Sequence, residues 1–456
     1  MHFRQFYIGC LAHASYLIGD GGEAVVVDPS RDIQMYLDEA EASGLRITWV
    51  LETHLHADFV SGHRELAART AATIGVGARA EATYPHRPLR DGDSISVGGM
   101  TIRVAETPGH TPESLSFLIY ERSGDAPWGV LTGDTLFVGD VGRVDILSSR
   151  LPVQELAGLM YDSLHQKLLV LPDETRVYPA HGAGSLCGRN LGKETWSTIG
   201  RERAMNAALR PMSREAFVAE VTRDVPETPL YYLHSRDLNK AGPALDAERP
   251  LPPLVSPREC AAKVEAGGLV LDTRSLDAFA ECHPVGAIHV SLDGQYASWV
   301  GTLVSPEQPL LLVAERDRLE EAVLRLARVG YERVDAVLEG DTGSWEAAGL
   351  RTRKLDRLSH RSWTAEDRRI LDVRRQREWN DFHIPGATHL PLAELPERLA
   401  DLDRDTAWVT VCGSGYRSSI AASLLKRADF ARVSNGVGGM DAWRAAGLPL
   451  MTGDAA

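Results

Sequence analysis

The residues of this chain that can do chemistry fall into two groups. The first is Thr53-His54-Leu55-His56-Ala57-Asp58-Phe59, which comes directly after the apolar run Ile47–Leu51. Alternate residues of an extended chain point the same way, so His54, His56 and Asp58 are expected to share one face. Pro108-Gly109-His110-Thr111, Gly133-Asp134-Thr135 and Pro179-Ala180-His181-Gly182 add donors of the same kind. Each stands just past a β-rich run and beside Gly or Pro, and so reads as a strand-end loop. Imidazole and carboxylate gathered from separate loops suit a transition metal, and these types admit both Fe(II) and Zn(II). Nearby, Cys187 is either a thiol at the entrance of the site or a small buried apolar residue. Arg143 either binds an anionic substrate or forms a structural ion pair in its turn.

The second group is Cys412-Gly413-Ser414-Gly415-Tyr416-Arg417, between the apolar run Trp408–Val411 and a helical run beginning Ser418-Ser419-Ile420. In a strand–loop–helix of this kind the loop amides and the helix N-terminus converge on the cysteine sulfur. Arg417 adds a full positive charge. All three favour an anionic sulfur, the form that acts as a nucleophile, and the same amides can hold the terminal sulfur of a persulfide.

Behind these groups the chain has a readable organisation. Residues 1–22 read as a pair of strands; Glu23–Val27 and Ile47–Leu51 read as further strands, and His63–Arg69 as a helix. Residues 243–257, rich in proline and without apolar periodicity, are expected to be a linker between a first domain, 1–242, and the C-terminal part of the chain. Downstream the chain repeats itself: LDTRSLDAFAECHPVGAIHV at 271–290 returns as LDVRRQREWNDFHIPGATHL at 371–390, and WEAAGL at 345–350 as WRAAGL at 443–448. Two copies of one small doubly wound α/β fold are therefore expected, at 258–352 and 358–456. The first copy aligns Ala314 with Cys412 and continues Glu-Arg-Asp-Arg-Leu-Glu, without glycine or nucleophile. It is read as inactive, a spacer or docking surface. Cys10, Cys260 and Cys282 are read as packing residues.

The motifs of residues 1–240, in particular PGHTPES (108–114) and GDTLFVGDVGRVDI (133–146), resemble the metallo-β-lactamase superfamily, and within it the persulfide dioxygenase branch. The glyoxalase II hydrolases are the nearest alternative. The Cys412 loop resembles the rhodanese sulfurtransferases. The resemblance implies an α/β chain: a metallo-β-lactamase αββα sandwich followed by two rhodanese-like domains, the first disarmed. It implies one Fe(II) per chain, held by His56, His110 and Asp134, with His54, Asp58 and His181 behind the ligands. Two-metal members carry His after the Asp, where this chain has Phe59, which favours a single metal. The implied catalytic residues for sulfur transfer are Cys412 and Arg417, with Gly413, Ser414, Gly415 and Tyr416 as the persulfide-binding loop; Cys187 and Arg143 are candidates for a sulfur relay or substrate contact. The implied activity oxidises a low-molecular-weight thiol persulfide with O2 to sulfite, coupled to transfer among persulfide, sulfite and thiosulfate. The alternatives are a Zn-dependent thioester hydrolase with a fused sulfurtransferase, and a non-enzymatic sulfur carrier.

Composition narrows the partners. The 456 residues are 44% hydrophobic and 25% charged, as in a globular chain. The net charge is −14, with neither half basic, so nucleic acid is not an expected partner. No apolar run reaches the length of a membrane span. Five cysteines are an odd and sparse set, expected in a reducing, cytoplasmic setting and used singly. The disarmed copy as a docking surface is compatible with a homo-oligomer.

Overall fold

The computed structural model describes all residues except 122–125, 149, 190, 224–227, 247–249, 365–366 and 454–456. Three residues of the expected linker, 247–249, thus lie outside the described residues. The chain divides into two compact units: Met1–Pro250 with Leu326–Glu332, and Leu251–Arg325 with Arg333–Ala456.

The first unit holds two six-stranded sheets. One runs in chain order through β1 (His2–Ile8), β2 (His13–Asp20), β3 (Glu23–Val27), β4 (Arg46–Leu51), β5 (Thr73–Gly77) and β6 (Arg87–Leu89). The N-terminal pair is an antiparallel hairpin in which Ile8 faces His13. The other sheet is built from β7 (Ser94–Val97), β8 (Met100–Glu106), β9 (Leu115–Tyr120), β10 (Gly129–Gly133), β11 (Arg176–Pro179) and β12 (Ser197–Thr198). The inner faces interdigitate: Tyr16, Val25, Val27 and Leu51 pack with Ile102, Val104, Phe117 and Leu131 in one core. On the outer face of the first sheet, Val26 and Val50 pack against Tyr36 and Leu66 of the helices Gln34–Ala42 and His63–Thr70. β9 and β10 are buried throughout, which requires cover on both faces. The helix Val153–Ser163 turns Leu156, Ala157 and Met160 inward.

The second unit carries two five-stranded parallel sheets with the same strand order. The first runs Leu254–Val255, Ala336–Leu338, Leu310–Val313, Leu269–Asp272, Ile288–His289. The second runs Asp356–Leu358, Val433–Gly436, Ala407–Val411, Arg368–Asp372, Thr388–His389. Even the register repeats, with Asp272 opposite Val313 and His289, and Asp372 opposite Val411 and His389. Both copies use one internal tie: Arg274 grips Asp272 and the Cys282 carbonyl, as Arg374 grips Asp372 and the Phe382 carbonyl. The repeat seen in the sequence is therefore a repeat of fold. All five cysteines are free. Among the described residues no helix is long and apolar enough to cross a membrane.

Candidate functional site

In the first unit the loops after β4, β8, β10 and β11 meet. His54, His110 and Asp134 bring ligand atoms within 4.8 Å of one another, all buried. His110 Nε2 lies 3.3 Å and His54 Nε2 3.9 Å from Asp134 Oδ2, while His181 Nε2 lies 3.5 Å from Oδ1. The rings are held from behind. His110 Nδ1 sits 2.7 Å from the Arg143 carbonyl and His181 Nδ1 3.1 Å from that of Ala12. Each carbonyl can only accept, so each Nδ1 carries a hydrogen, and each Nε2 is the ring nitrogen that faces Asp134. His54 Nδ1 is 3.0 Å from Thr53 Oγ1. Burial, and then the neighbouring His56, His110 and His181, hold the His54 imidazole well below its ordinary range, so it is neutral. Among the described residues, His54 Nε2, His181 Nε2 and both Asp134 oxygens are buried without a hydrogen-bond partner. Such atoms are costly unless something satisfies them, and a cation does so for this donor set.

The geometry exchanges two histidines relative to the expectation. The strand ends at Leu51, and residues 52–62 form no strand. The alternation that would turn His54 and His56 the same way is lost with it. His56 Nε2 faces the other way, 3.1 Å from Asp28 Oδ1 and 3.5 Å from Glu52 Oε2. Burial opposes a charge on His56, but Asp28 and Glu52 outweigh it and raise its pKa. His54 thus stands in the group with His110 and Asp134, and His56 in a separate one with Asp28 and Glu52.

Asp58, His181 and Cys187 form a third group beside Asp134, with Asp58 Oδ2 3.3 Å from His181 Nε2. Burial first, then Asp58 and Asp134, push the Cys187 thiol well above its ordinary range, so it is a neutral thiol here. Phe59 is fully buried, with its ring 4.0 Å from that of His13 and 4.3 Å from that of His56. The Arg143 guanidinium closes on its own turn: Nε and Nη2 grip Asp145 at 2.8 and 2.5 Å, and Nη1 reaches the Leu186 carbonyl. Its link to the centre is its own carbonyl, behind His110. Asn239, which the sequence reading missed, braces the loop by donating to the carbonyls of His56 and Phe59 and accepting from Ser61 N–H. Nothing local to helix Tyr231–Ala241 marks that role, because its partners lie far away in the chain.

In the second unit, strand Ala407–Val411 delivers Cys412 to the N-terminus of helix Tyr416–Arg427. Gly415 N–H donates to Cys412 Sγ at 3.2 Å from a backbone with φ of +113°, which favours glycine. Ser418 Oγ lies 3.6 Å from the sulfur. The loop is closed from the far side by Met440 N–H and Asp441 N–H, which donate to the carbonyls of Cys412 and Gly413. A Cβ at Gly439 would stand 2.2 Å from the Cys412 carbonyl, so only glycine permits that approach. Arg417 does not stand free over the sulfur: Nη1 and Nη2 grip both oxygens of Glu378 at 2.6 and 2.7 Å. Burial alone would raise the Glu378 carboxyl, but Arg417 outweighs it and holds the group below its ordinary range. The sequence reading missed Glu378. The signal was in the repeat, where the first copy has Ala278 at this place, Ala314 for Cys412 and Leu319 for Arg417.

These two sites agree with what the chain is similar to. The profile of the metallo-beta-lactamase superfamily matches residues 8–181, and that of the rhodanese-like domain residues 354–446. The chain belongs to the metallo-beta-lactamase superfamily and carries a C-terminal rhodanese-like domain. It is 32% identical over 222 residues to "Persulfide dioxygenase ETHE1, mitochondrial" of Bos taurus, a match covering 47% of this chain and 78% of that one. It is also 30% identical over 226 residues to a hydroxyacylglutathione hydrolase of Methylobacillus flagellatus, covering 48% and 82%. Among solved structures it is similar to a metallo-beta-lactamase from Staphylococcus aureus subsp. aureus COL, with 32% identity and a TM-score of 0.66, over 74% of this chain and 99% of that one.

Proposed function

We propose that the first unit oxidises a low-molecular-weight thiol persulfide, such as glutathione persulfide, and that Cys412 carries out rhodanese sulfur transfer in the second. The observation that carries the first part is the convergence of His54, His110 and Asp134, in which His54 Nε2 and both Asp134 oxygens are buried without a hydrogen-bond partner. Two imidazoles and one carboxylate are the facial donor set of non-haem iron sites. His54, His110 and Asp134 would hold one Fe(II), which when bound supplies open positions for O2 and for the soft terminal sulfur of the substrate. In the net reaction R–S–SH, O2 and H2O give R–SH, sulfite and two protons; the terminal sulfur is oxidised and O2 takes up the four electrons. The chain's own residues fix the geometry. The carbonyls of Arg143 and Ala12 lock the tautomers of His110 and His181. Asp58 and His181 lie beside Asp134, where they can accept or return a proton. Phe59 offers no ligand atom beside Asp58, so a second metal has one donor fewer.

At Cys412 the step is a displacement. The thiolate attacks the outer sulfur of thiosulfate, an S–S bond forms at Sγ, the old S–S bond breaks, and sulfite leaves with the electron pair. The Gly415 amide and the helix N-terminus stabilise the persulfide anion. The reverse step transfers sulfur to sulfite, the product of the first unit, or to a thiol. The relatives named as persulfide dioxygenases and the rhodanese-like match support this pairing.

Anaerobic loading with Fe(II), followed by O2 uptake and sulfite release with glutathione persulfide, tests the first activity. The expected result is stoichiometric sulfite, lost in His54→Ala and Asp134→Asn; no O2 uptake above these controls overturns it. A second reading, thioester hydrolysis with Zn(II), is favoured by the hydroxyacylglutathione hydrolase relatives. Hydrolysis of S-lactoylglutathione by the Zn-loaded chain, without O2 uptake by the Fe-loaded one, would establish it instead.

A further inference from the structure

The cysteine-less copy touches the loop that carries Cys412. Tyr416 donates its hydroxyl hydrogen to the Ser291 carbonyl at 2.8 Å. Its ring lies on Gly294, where a Cβ would stand 2.4 Å from Tyr416 Cε2. The segment receiving the ring is itself clamped: Arg325 donates from Nη1 to the Leu292 carbonyl at 2.5 Å and from Nη2 to that of Gly294 at 2.6 Å. His289 extends the contact along the helix. Its N–H donates to Ser423 Oγ at 3.0 Å, and its Nδ1 lies 3.0 Å from Ser419 Oγ. Tyr416, Ser419 and Ser423 recur at helical spacing, so they form one face. Arg427 closes its end, donating to the Gly286 carbonyl.

The armed copy has no counterpart to this clamp. Glu394 stands where the first copy has Gly294, and Ser423 where it has Arg325. His389 is half-buried, whereas His289 is fully buried. The two copies thus share the edge strand and differ in the segment after it, which in the cysteine-less copy receives an aromatic ring.

We propose that the cysteine-less copy is a positioning element for sulfur transfer, with Ser291–Gly294 holding Tyr416 and, through it, the amides that face Cys412. The inference rests on the sulfur-transfer reading of Cys412. Its physical reason is the make-up of the loop. Gly413 and Gly415 leave it with large conformational freedom, and ordering it costs entropy at each turnover unless it is held beforehand. Tyr416 comes directly after Gly415, so a fixed ring fixes the N–H that lies 3.2 Å from the sulfur.

Full-length Tyr416→Phe and Gly294→Ala chains test this in thiosulfate:cyanide transfer, with kcat and thiosulfate KM resolved, and in the alkylation rate of Cys412 by iodoacetamide, followed by mass spectrometry. Tyr416→Phe removes one hydrogen bond and keeps the ring; kcat is expected to fall about fivefold with KM changed less than about twofold. Gly294→Ala displaces the ring, and kcat is expected to fall about tenfold or more. Both variants should change the alkylation rate, which reads the loop without turnover. Wild-type kcat and alkylation in Tyr416→Phe would overturn the proposal, whether or not Gly294→Ala folds. A wild-type chain that transfers no sulfur would instead refute the reading of Cys412, and the alkylation rates would then decide the positioning alone.

Discussion

The two small sheets of the second unit share strand order, register and the Asp–Arg tie, yet only one is followed at the end of its central strand by a cysteine. After Ala407–Val411 come Cys412, a glycine loop whose amide meets the sulfur, and Arg417 locked to Glu378. After Leu310–Val313 come Ala314 and a tight turn at Arg316–Arg318, in which Arg318 reaches outward to Asp293 and Glu321. Cysteine, arginine and glutamate are all missing from the first copy, each at its aligned place. The apolar strands and buried ties that hold the fold are thus independent of the few strand-end residues that do chemistry. Freed from that chemistry, the first copy can carry side chains that serve its neighbour.

The largest expected effect tests that contrast at the nucleophile. Cys412→Ser should reduce thiosulfate:cyanide transfer to background while persulfide-dependent O2 uptake persists; equal loss of both would mean an obligatory relay. The converse variant, Ala314→Cys, should gain no transferase activity, because Glu315 and Asp317 put carboxylates where the sulfur anion needs amides. Activity in that variant would break the contrast. Chelation of the metal should abolish O2 uptake and leave sulfur transfer intact, measured on the same sample.

Glu378→Gln is next. Arg417 would lose its charged partner, and kcat/KM for sulfur transfer should fall about tenfold, with a loss of about 1 kcal/mol in urea unfolding, since the pair is partly exposed. The sign with pH is set by the lowered Glu378 carboxyl. Its stabilisation is present above the ordinary carboxylate range and is lost as pH falls through the lowered folded value. Wild type and variant should therefore begin to converge in stability as pH falls below the ordinary carboxylate range, and be equal once it is below the lowered folded value. Smallest is the pair of aligned histidines, which should leave kcat/KM for sulfur transfer within about twofold: His289→Ala should cost about 1 kcal/mol of stability and His389→Ala about half as much or less, because only His289 is buried against the helix.

Much of this was legible in the chain. The repeat and the strand–Cys–glycine loop–helix both rest on local patterns, and the structure carries them as two equivalent sheets and a loop whose amide meets the sulfur. The strand-end origin of His110, Asp134 and His181 was equally visible, since Gly and Pro punctuate those loops. Less legible was direction. His54 and His56 differ by two positions, and which of them joins His110 and Asp134 depends on where β4 stops. Glu378 and Asn239 were invisible as single residues, because a carboxylate or amide has no signature until its partner is known.

The sequence by itself determined the inventory: which residue types could ligate a metal, where the one armed cysteine lies, and that one fold occurs twice. Those are set by spacing and by period, which are properties of neighbours along the chain. Only the tertiary structure decided which histidine faces Asp134, what holds Arg417, and that the cysteine-less copy grips Tyr416. Each of these is a contact between residues remote in sequence. Its energy depends on a distance and an angle that the packing of whole sheets sets and no local pattern encodes.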